Sequence, residues 1–186
     1  RQKRVLAIHD ISCIGKCSLT VAIPIISAAE LECAVIPTAV LSTHTGEFTG
    51  YTFRDLTDDI EPIYEHWRSF GIGFDAIYTG YLGSAKQISL VRSIIDTFGG
   101  EGKTVFVDPV MADAGRLYAN FDMAFVSEMR SLCAEADVIT PNLTEAAFLL
   151  GGEYRESGYG EEYIKETLGA LCELGPKAAT LSGVSY

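Results

Sequence analysis

The sequence lacks a long apolar run and has little positive charge. Its longest apolar stretch, residues 21–29, is interrupted by Pro24 and Ser27, so it falls short of the ~18 residues of a membrane-spanning helix. Lys and Arg total 14 against 25 Asp and Glu, which gives a net charge of −11 at pH 7. Because nucleic acids and anionic membranes attract basic surfaces, the sequence predicts neither as a partner.

Cysteine and histidine are also few and are not spaced as metal ligands. The five cysteines are scattered without a Cys-x-x-Cys pair, and there are three histidines. This pattern argues against a zinc site and against a disulfide framework. It predicts reduced thiols in a cytoplasmic protein, with Cys33 and Cys172 packed in the core.

Length and composition indicate one folded domain. The chain has 186 residues, of which 48% are hydrophobic and 21% are charged, so it is neither disordered nor too short to bury a core. A single domain over residues 1–186 is the prediction.

Short apolar runs alternate with longer amphipathic segments along the whole chain. The runs predict strands, and the helical spacing of apolar residues predicts helices between them. Pro24 is expected to end or kink the first helix, and residues 38–51 read as a polar loop. The predicted strands are residues 5–8, 34–37, 76–79, 104–107, 138–140 and 178–181, and the predicted helices are residues 18–31, 56–70, 84–98, 123–134, 144–150 and 163–174.

This alternation predicts an α/β fold, a three-layer α/β/α sandwich with a mainly parallel central sheet. Ligands of such sheets bind beyond the carboxyl ends of the strands, and most of the predicted strand ends carry polar side chains. These ends are His9-Asp10, Thr38, Gly80-Tyr81, Asp108-Pro109, Thr140-Pro141-Asn142 and Ser182-Gly183.

Carboxylates follow two of the strands. Asp108 ends a very apolar strand, where it is either a turn residue or a functional carboxylate, and Asp113 adds a second one within reach. Asn142 and Glu145 are three residues apart at the start of a helix, which is typical of a capping box. The same pair could orient water molecules on Mg²⁺, and both interpretations can hold together.

Five segments, taken in order, resemble the pyridoxal/pyridoxamine kinases of the ribokinase-like superfamily over essentially the whole chain. The pairing of the His-Thr-Gly loop with the Thr-Pro-Asn-x-x-Glu segment is specific, whereas Asp-Pro alone is not. The segments are His9-Asp10-Ile11-Ser12-Cys13-Ile14-Gly15, Ser42-Thr43-His44-Thr45-Gly46, Thr79-Gly80-Tyr81-Leu82-Gly83, Asp108-Pro109-Val110-Met111 and Thr140-Pro141-Asn142-Leu143-Thr144-Glu145.

The resemblance implies ATP-dependent phosphorylation of the 5′-hydroxymethyl group of vitamin B6 vitamers. It places Asp10 and Ser12 on the pyridine ring substituents and Ile14 in apolar contact. It places Thr45 beside the ring, with Tyr81 packed on it. These five residues form the expected substrate site.

The resemblance also implies a magnesium–nucleotide site. Asp108 and Glu145, with Asn142, would organise Mg²⁺ and its waters, and Asp113 is the third expected metal carboxylate. Thr140 and Ser182 would lie at the nucleotide. The loop after Asp108 departs from relatives in having alanine at positions 112 and 114.

The family's general base is an Asp in a Gly-Thr-Gly-Asp segment, which does not occur between Arg1 and Tyr186. We therefore expect the base, the anion hole and the adenine segment to lie beyond Tyr186. No catalytic residue is assigned in this chain, which is expected to have no kinase turnover alone. The family also implies a homodimer, while a requirement for a monovalent cation stays open.

Three alternatives stay open. A hydroxymethylpyrimidine kinase or a sugar kinase would share the fold, although Thr45 and Tyr81 suit a flat ring better than a sugar. A non-catalytic protein that binds a B6 vitamer is the third, because the base is missing from this chain.

Overall fold

The computed structural model describes residues 2–46 and 48–185, so Glu47 of the predicted loop at residues 38–51 lies outside the described residues. Within them the chain forms nine strands and six helices. In chain order these are β1 (Arg4–Ser12), α1 (Leu19–Ala28), β2 (Glu32–Leu41), β3 (Phe53–Asp55), α2 (Thr57–Ser69), β4 (Ala76–Thr79), α3 (Ala85–Phe98), β5 (Thr104–Val107), β6 (Ala112–Asp113), β7 (Arg116–Leu117), α4 (Met123–Ala134), β8 (Val138–Ile139), α5 (Leu143–Leu150), α6 (Glu161–Glu173) and β9 (Ala178–Ala179).

The chain divides into two units, Arg1–Val105 and Phe106–Tyr186. In the first unit, β1 pairs in parallel with β2 and with β4, and β3 is an antiparallel edge strand on β2. In the second unit, β8 pairs in parallel with β5 and with β9. Parallel strands alternating with helices confirm the predicted α/β fold with a mainly parallel sheet.

The core of the first unit forms around β1. Leu6, Ala7 and Ile8 are fully buried, as expected of a central strand covered on both faces. Helix α3 begins after Ser84, whose hydroxyl accepts from the backbone N–H of Gln87, and it buries Ile88 and two further turns of apolar residues.

The core of the second unit is built on α4 and α5. Asp122 caps α4 by accepting from the backbone N–H of Phe125 at 2.9 Å, and Met129 and Leu132 are fully buried. Helix α5 ends at Gly151, which has a φ of +68° that favours glycine.

The structure differs in detail from several sequence expectations. Helix α1 does not end at Pro24 but continues through it; Thr20, whose carbonyl loses its partner, is exposed, so water can hydrate it. Strand β2 extends to Leu41, so Thr38 lies inside a strand rather than in a loop. Cys33 and Cys172 are only half-buried, and Cys133 is the core cysteine.

Two short pairings were missed because their strands are too brief to show a periodic pattern. One is the edge strand β3. The other is the hairpin of β6 and β7, whose two-residue turn has φ of +47° at Ala114 and +77° at Gly115. Positive φ at both positions is typical of a tight hairpin turn. No helix within residues 2–46 and 48–185 is long and apolar enough to cross a membrane.

Candidate functional site

Asp10 lies at an irregularity near the carboxyl end of β1. The pairing register of β1 with β2 shifts between His9 and Ile11, and such shifts redirect a side chain. The Asp10 carboxylate is 5% exposed. Its Oδ2 accepts from Ser12 Oγ at 3.1 Å, and its Oδ1 accepts from Ser18 Oγ at 2.5 Å. The structure thus brings the predicted residues Asp10 and Ser12 together and adds Ser18, which the sequence analysis missed.

Ser18 precedes helix α1 and has a φ of +52°, a conformation that is costly for a residue with a Cβ atom. Its hydroxyl does not cap the helix and instead reaches Asp10. The backbone of Ser18 is therefore held in an unfavourable conformation, and its side chain donates to the Asp10 carboxylate.

His9 is a second buried polar group at the same strand end. Its ring is 4% exposed and meets the Tyr78 ring edge-on at 4.4 Å. Burial lowers the pKa of His9 to about 4, so the imidazole is neutral at pH 7. A Cβ atom on Gly80 would lie 2.0 Å from His9 Nδ1, which explains why glycine occupies that position. His9 Nε2 has no hydrogen-bond partner within the part of the chain that the structure describes.

A buried amide network holds the segment around Tyr81. Gln87 is fully buried; its Nε2 donates to the Thr38 carbonyl at 3.0 Å and to Thr57 Oγ1 at 2.9 Å. Its Oε1 accepts from the Gly83 backbone N–H at 2.7 Å. Thr38 Oγ1 in turn donates to the Tyr81 carbonyl at 3.0 Å. The position of half-buried Tyr81 is therefore fixed through its backbone, by residues outside the predicted site.

The loops that carry Ile14 and Thr45 lie against each other. The His44 backbone N–H donates to the Ile14 carbonyl at 3.0 Å, and the His44 ring covers Gly15, where a Cβ atom would lie 2.6 Å from its Cδ2. Thr45 is exposed, and Ile14 is 63% exposed. The hydrogen bond from His44 to the Ile14 carbonyl therefore holds the two loops together, so that Ile14 and Thr45 lie on neighbouring loops.

In the second unit, the predicted capping box at the start of α5 is confirmed. Asn142 Oδ1 accepts from the Glu145 backbone N–H, and Glu145 Oε2 accepts from the Asn142 backbone N–H, both at 2.8 Å. The same side chains reach the loop after Asp108. Glu145 Oε1 accepts from the Met111 backbone N–H at 3.1 Å, and Asn142 Nδ2 donates to the Ala112 carbonyl at 2.9 Å.

Asp108 and Glu145 are destabilised in their ionised form. Burial raises the pKa of Asp108 to about 6. Burial and the negative charge of Asp108 raise the pKa of Glu145, which is 3% exposed, to about 8. Tyr118 lies in the same negative field. Its pKa rises to about 12 through burial and through the charges of Glu145, Asp113 and Asp108. A cation would relieve this repulsion.

The second unit also contains the remaining predicted residues of the nucleotide and metal sites. Asp113 is exposed, and its Oδ1 accepts from the Ala114 backbone N–H at 2.8 Å. Ser182 is exposed and bridges to Asn142, with its N–H donating to the Pro141 carbonyl at 3.0 Å. Thr140 is half-buried and continues from β8. No group of three or more His, Cys, Asp or Glu side chains is arranged to hold a metal ion within residues 2–46 and 48–185.

Comparison with known proteins identifies relatives along almost the whole chain. The family model for phosphomethylpyrimidine kinase matches residues 25–185. A Schizosaccharomyces pombe protein assigned to the pyridoxal kinases is 29% identical over 156 residues, which are 80% of this chain and 48% of that protein.

Two crystal structures are similar over the full chain. One is of a Bacteroides thetaiotaomicron protein assigned to the phosphomethylpyrimidine kinases, in a crystal form with pyridoxal. It is 45% identical with a TM-score of 0.94, and the match covers 100% of this chain and 64% of that one. The other is pyridoxal kinase from Lactobacillus plantarum, which is 32% identical with a TM-score of 0.89 and is matched over 99% of this chain and 65% of its own. The chain spans less than half the length of the curated relatives it matches.

Proposed function

This chain belongs to the phosphomethylpyrimidine kinase family, and we propose that the protein containing it is an ATP-dependent kinase of vitamin B6 vitamers. The reaction transfers the γ-phosphoryl group of ATP to the 5′-hydroxymethyl group of pyridoxal, pyridoxamine or pyridoxine. The observation that carries the proposal is the match of 100% of this chain to 64% of a 45% identical protein crystallised with pyridoxal.

The proposed vitamer site lies in the first unit. Asp10 and Ser12 accept and donate hydrogen bonds at the ring substituents, Ile14 supplies apolar contact, Thr45 lies beside the ring and Tyr81 packs on its face. The hydrogen bonds of Ser12 and Ser18 to Asp10 support this assignment, because they leave each carboxylate oxygen with a lone pair for a ligand. A flat ring suits an aromatic wall better than a sugar does.

The proposed nucleotide site lies in the second unit. Asp108, Glu145 and Asp113 are the metal carboxylates, Asn142 orients Glu145, and Thr140 and Ser182 contact the nucleotide. These three carboxylates do not form one ligand group among the described residues, so Mg²⁺ would take one or two of them directly and keep several waters, as it commonly does. Burial raises the pKa values of Asp108 and Glu145. A bound cation would offset the cost of ionising these buried carboxylates. Bound Mg²⁺ would neutralise charge on the transferring phosphate.

Proton transfer is assigned to no residue of this chain. The 186 residues contain no Gly-Thr-Gly-Asp segment, so the family's general base has no counterpart among them. We propose that residues 1–186 bind and orient the two substrates and that they give no turnover by themselves. A coupled assay of ADP release from the isolated chain tests this, and normal rates would contradict it.

A substrate panel tests the reaction on the complete reading frame that contains this chain. ATP and Mg²⁺ are supplied with pyridoxal, pyridoxamine, pyridoxine, hydroxymethylpyrimidine or ribose, and products are identified by mass. We expect phosphorylated B6 vitamers, with kcat/KM at least ~100-fold above that for ribose. The variant Asp108→Asn should lower kcat strongly, whereas Asp58→Asn, an exposed surface change, should not.

Hydroxymethylpyrimidine is the second candidate substrate, because the matched family model describes phosphomethylpyrimidine kinases. If this compound is phosphorylated with higher kcat/KM than every vitamer, the vitamer proposal fails and the pyrimidine kinase replaces it. Pyridoxal binding in titrations without ATP, with no turnover of any compound, would instead identify a vitamer-binding protein.

Two further features complete the proposal. The protein is cytoplasmic, which its unpaired cysteines support. It is a homodimer, supported by the exposed edge strand β3, in which Phe53 is 46% exposed. Light scattering of the purified protein tests the dimer.

A further inference from the structure

Asp10 is a buried carboxylate whose protein partners are all uncharged. Its two oxygens accept from the hydroxyls of Ser12 and Ser18. Among the residues that the structure describes, no lysine, arginine or histidine forms an ion pair with it; the ion pair of this unit nearest in sequence joins Arg4 to Glu32. A buried charge that meets only neutral donors is costly, because hydroxyl hydrogen bonds replace water incompletely.

The neighbouring groups do not supply the missing charge. His9 precedes Asp10, and burial lowers the pKa of its ring to about 4, so the ring carries no positive charge at pH 7. The amino end of α1 follows Ser18 and contributes a partial positive charge of roughly half a unit. Neither neighbour therefore places a full positive charge beside the Asp10 carboxylate.

The local backbone is shaped around this carboxylate. The register shift between His9 and Ile11 places Asp10 out of the regular pairing of β1. Ser18 keeps a φ of +52° while its side chain contacts Asp10. Unfavourable conformations of this kind persist where the surrounding structure enforces them and are frequent at ligand sites.

We propose that Asp10 is a specificity-determining residue that selects ligands carrying a positively charged nitrogen. The inference rests on the proposed function, which puts a B6 vitamer beside Asp10. Such a vitamer offers two nitrogens of the required kind, the protonated ring nitrogen and, in pyridoxamine, the aminomethyl group. Pairing with either would compensate the buried carboxylate.

Binding measurements on the complete protein test this without relying on turnover. Dissociation constants are measured by calorimetry for pyridoxamine, for pyridoxine and for the benzene analogue of pyridoxine, in which C–H replaces the ring nitrogen. The proteins are the natural one, Asp10→Asn, and two controls. Ser12→Ala removes a hydroxyl but keeps the charge, and Asp58→Asn removes a charge at an exposed site.

We expect Asp10→Asn to weaken the binding of pyridoxine or pyridoxamine at least tenfold more than it weakens the binding of the benzene analogue. Equal losses for the two vitamers identify the ring nitrogen as the selected cation, and a larger loss for pyridoxamine identifies its aminomethyl nitrogen. Both controls should change the three constants by similar factors. The inference is wrong if Asp10→Asn weakens all three ligands equally or none of them.

The natural protein provides a test that needs no variant. It should bind pyridoxine or pyridoxamine at least tenfold more tightly than the benzene analogue, and equal affinities for all three ligands would overturn the inference even if Asp10→Asn failed to fold. The outcome is separable from that of the proposed function. If vitamers are phosphorylated without charge discrimination, only the inference about Asp10 is contradicted. If binding is charge-selective but no vitamer is phosphorylated, only the proposed kinase function is contradicted.

Discussion

Replacing Gly80 with alanine tests how tightly the carboxyl ends of β1 and β4 are packed. The new Cβ atom would lie 2.0 Å from His9 Nδ1 and 2.5 Å from its Cε1. Ordinary contact begins near 3.4 Å, so the ring must move by about 1.4 Å. The ring is buried and is held edge-on against Tyr78, which leaves it no free direction.

The expected cost follows from the size of this overlap. Extra methyl groups in a packed core cost about 1–3 kcal/mol, and an overlap with a buried ring belongs at the upper end. A loss of ~3 kcal/mol lowers Tm by roughly 6–12 °C in a chain of this length. Gly80 does not have the positive φ that strains other residues, so no backbone strain adds to the side-chain clash.

The clash with His9 is tested by making Gly80→Ala in a protein that also carries His9→Ala. With the imidazole gone, Gly80→Ala should cost nothing or stabilise by about 0.4–1 kcal/mol, since alanine restricts the unfolded chain more than glycine does. Urea unfolding of both single variants and the double variant gives the coupling energy. Gly73→Ala is the matched control, because no atom lies within 4 Å of its Cβ position. An equal cost of Gly80→Ala with and without His9 would refute the reasoning.

Three further predictions concern the second unit. Without divalent cation, stability should fall as pH rises from about 4.5 to 8, because the folded state holds protons on Glu145 and Asp108 that the unfolded state releases earlier; the Glu145 contribution is of the order of a few kcal/mol. Urea midpoints at pH 5 and pH 8 measure this, and a flat profile, or one that Glu145→Gln leaves unchanged, would contradict it. Ala114→Gly should stabilise by about 0.5–1 kcal/mol, because glycine tolerates the φ of +47° in the hairpin turn, and a lower Tm would disprove the strain. Asn142→Ala should lower stability by ~1–2 kcal/mol, because it removes the α5 cap and the hydrogen bond to Ala112. In the complete protein it should also raise the KM for ATP more than Asp122→Ala, which removes the cap of α4. Equal KM values in the two variants would show that Asn142 has a structural role only.

The capping box shows how one pattern supported two interpretations. The three-residue spacing of Asn142 and Glu145 predicted reciprocal capping, and the structure confirms it. The spacing said nothing of Met111 and Ala112, which the same side chains also bind. Those contacts join segments about 30 residues apart and follow from the packing of α5 on the hairpin of β6 and β7.

Local patterns determined most of the architecture of this protein. Apolar runs and helical spacing predicted β1, β4, β5 and all six helices, because buried strands and amphipathic helices leave a periodic signature in sequence. Ordered motifs likewise pointed to Asp10, Asp108 and Glu145. Short edge strands such as β3 have too few residues to show a periodic pattern in the sequence.

Tertiary structure alone decided the properties that depend on burial and on distant neighbours. It made His9 neutral, raised the pKa of Glu145 and gave Asp10 two hydroxyl partners, one of them from Ser18 eight residues away. A sequence lists which groups can ionise. Their charge in the folded protein depends on how much water and which side chains surround them, and only the folded chain sets that environment.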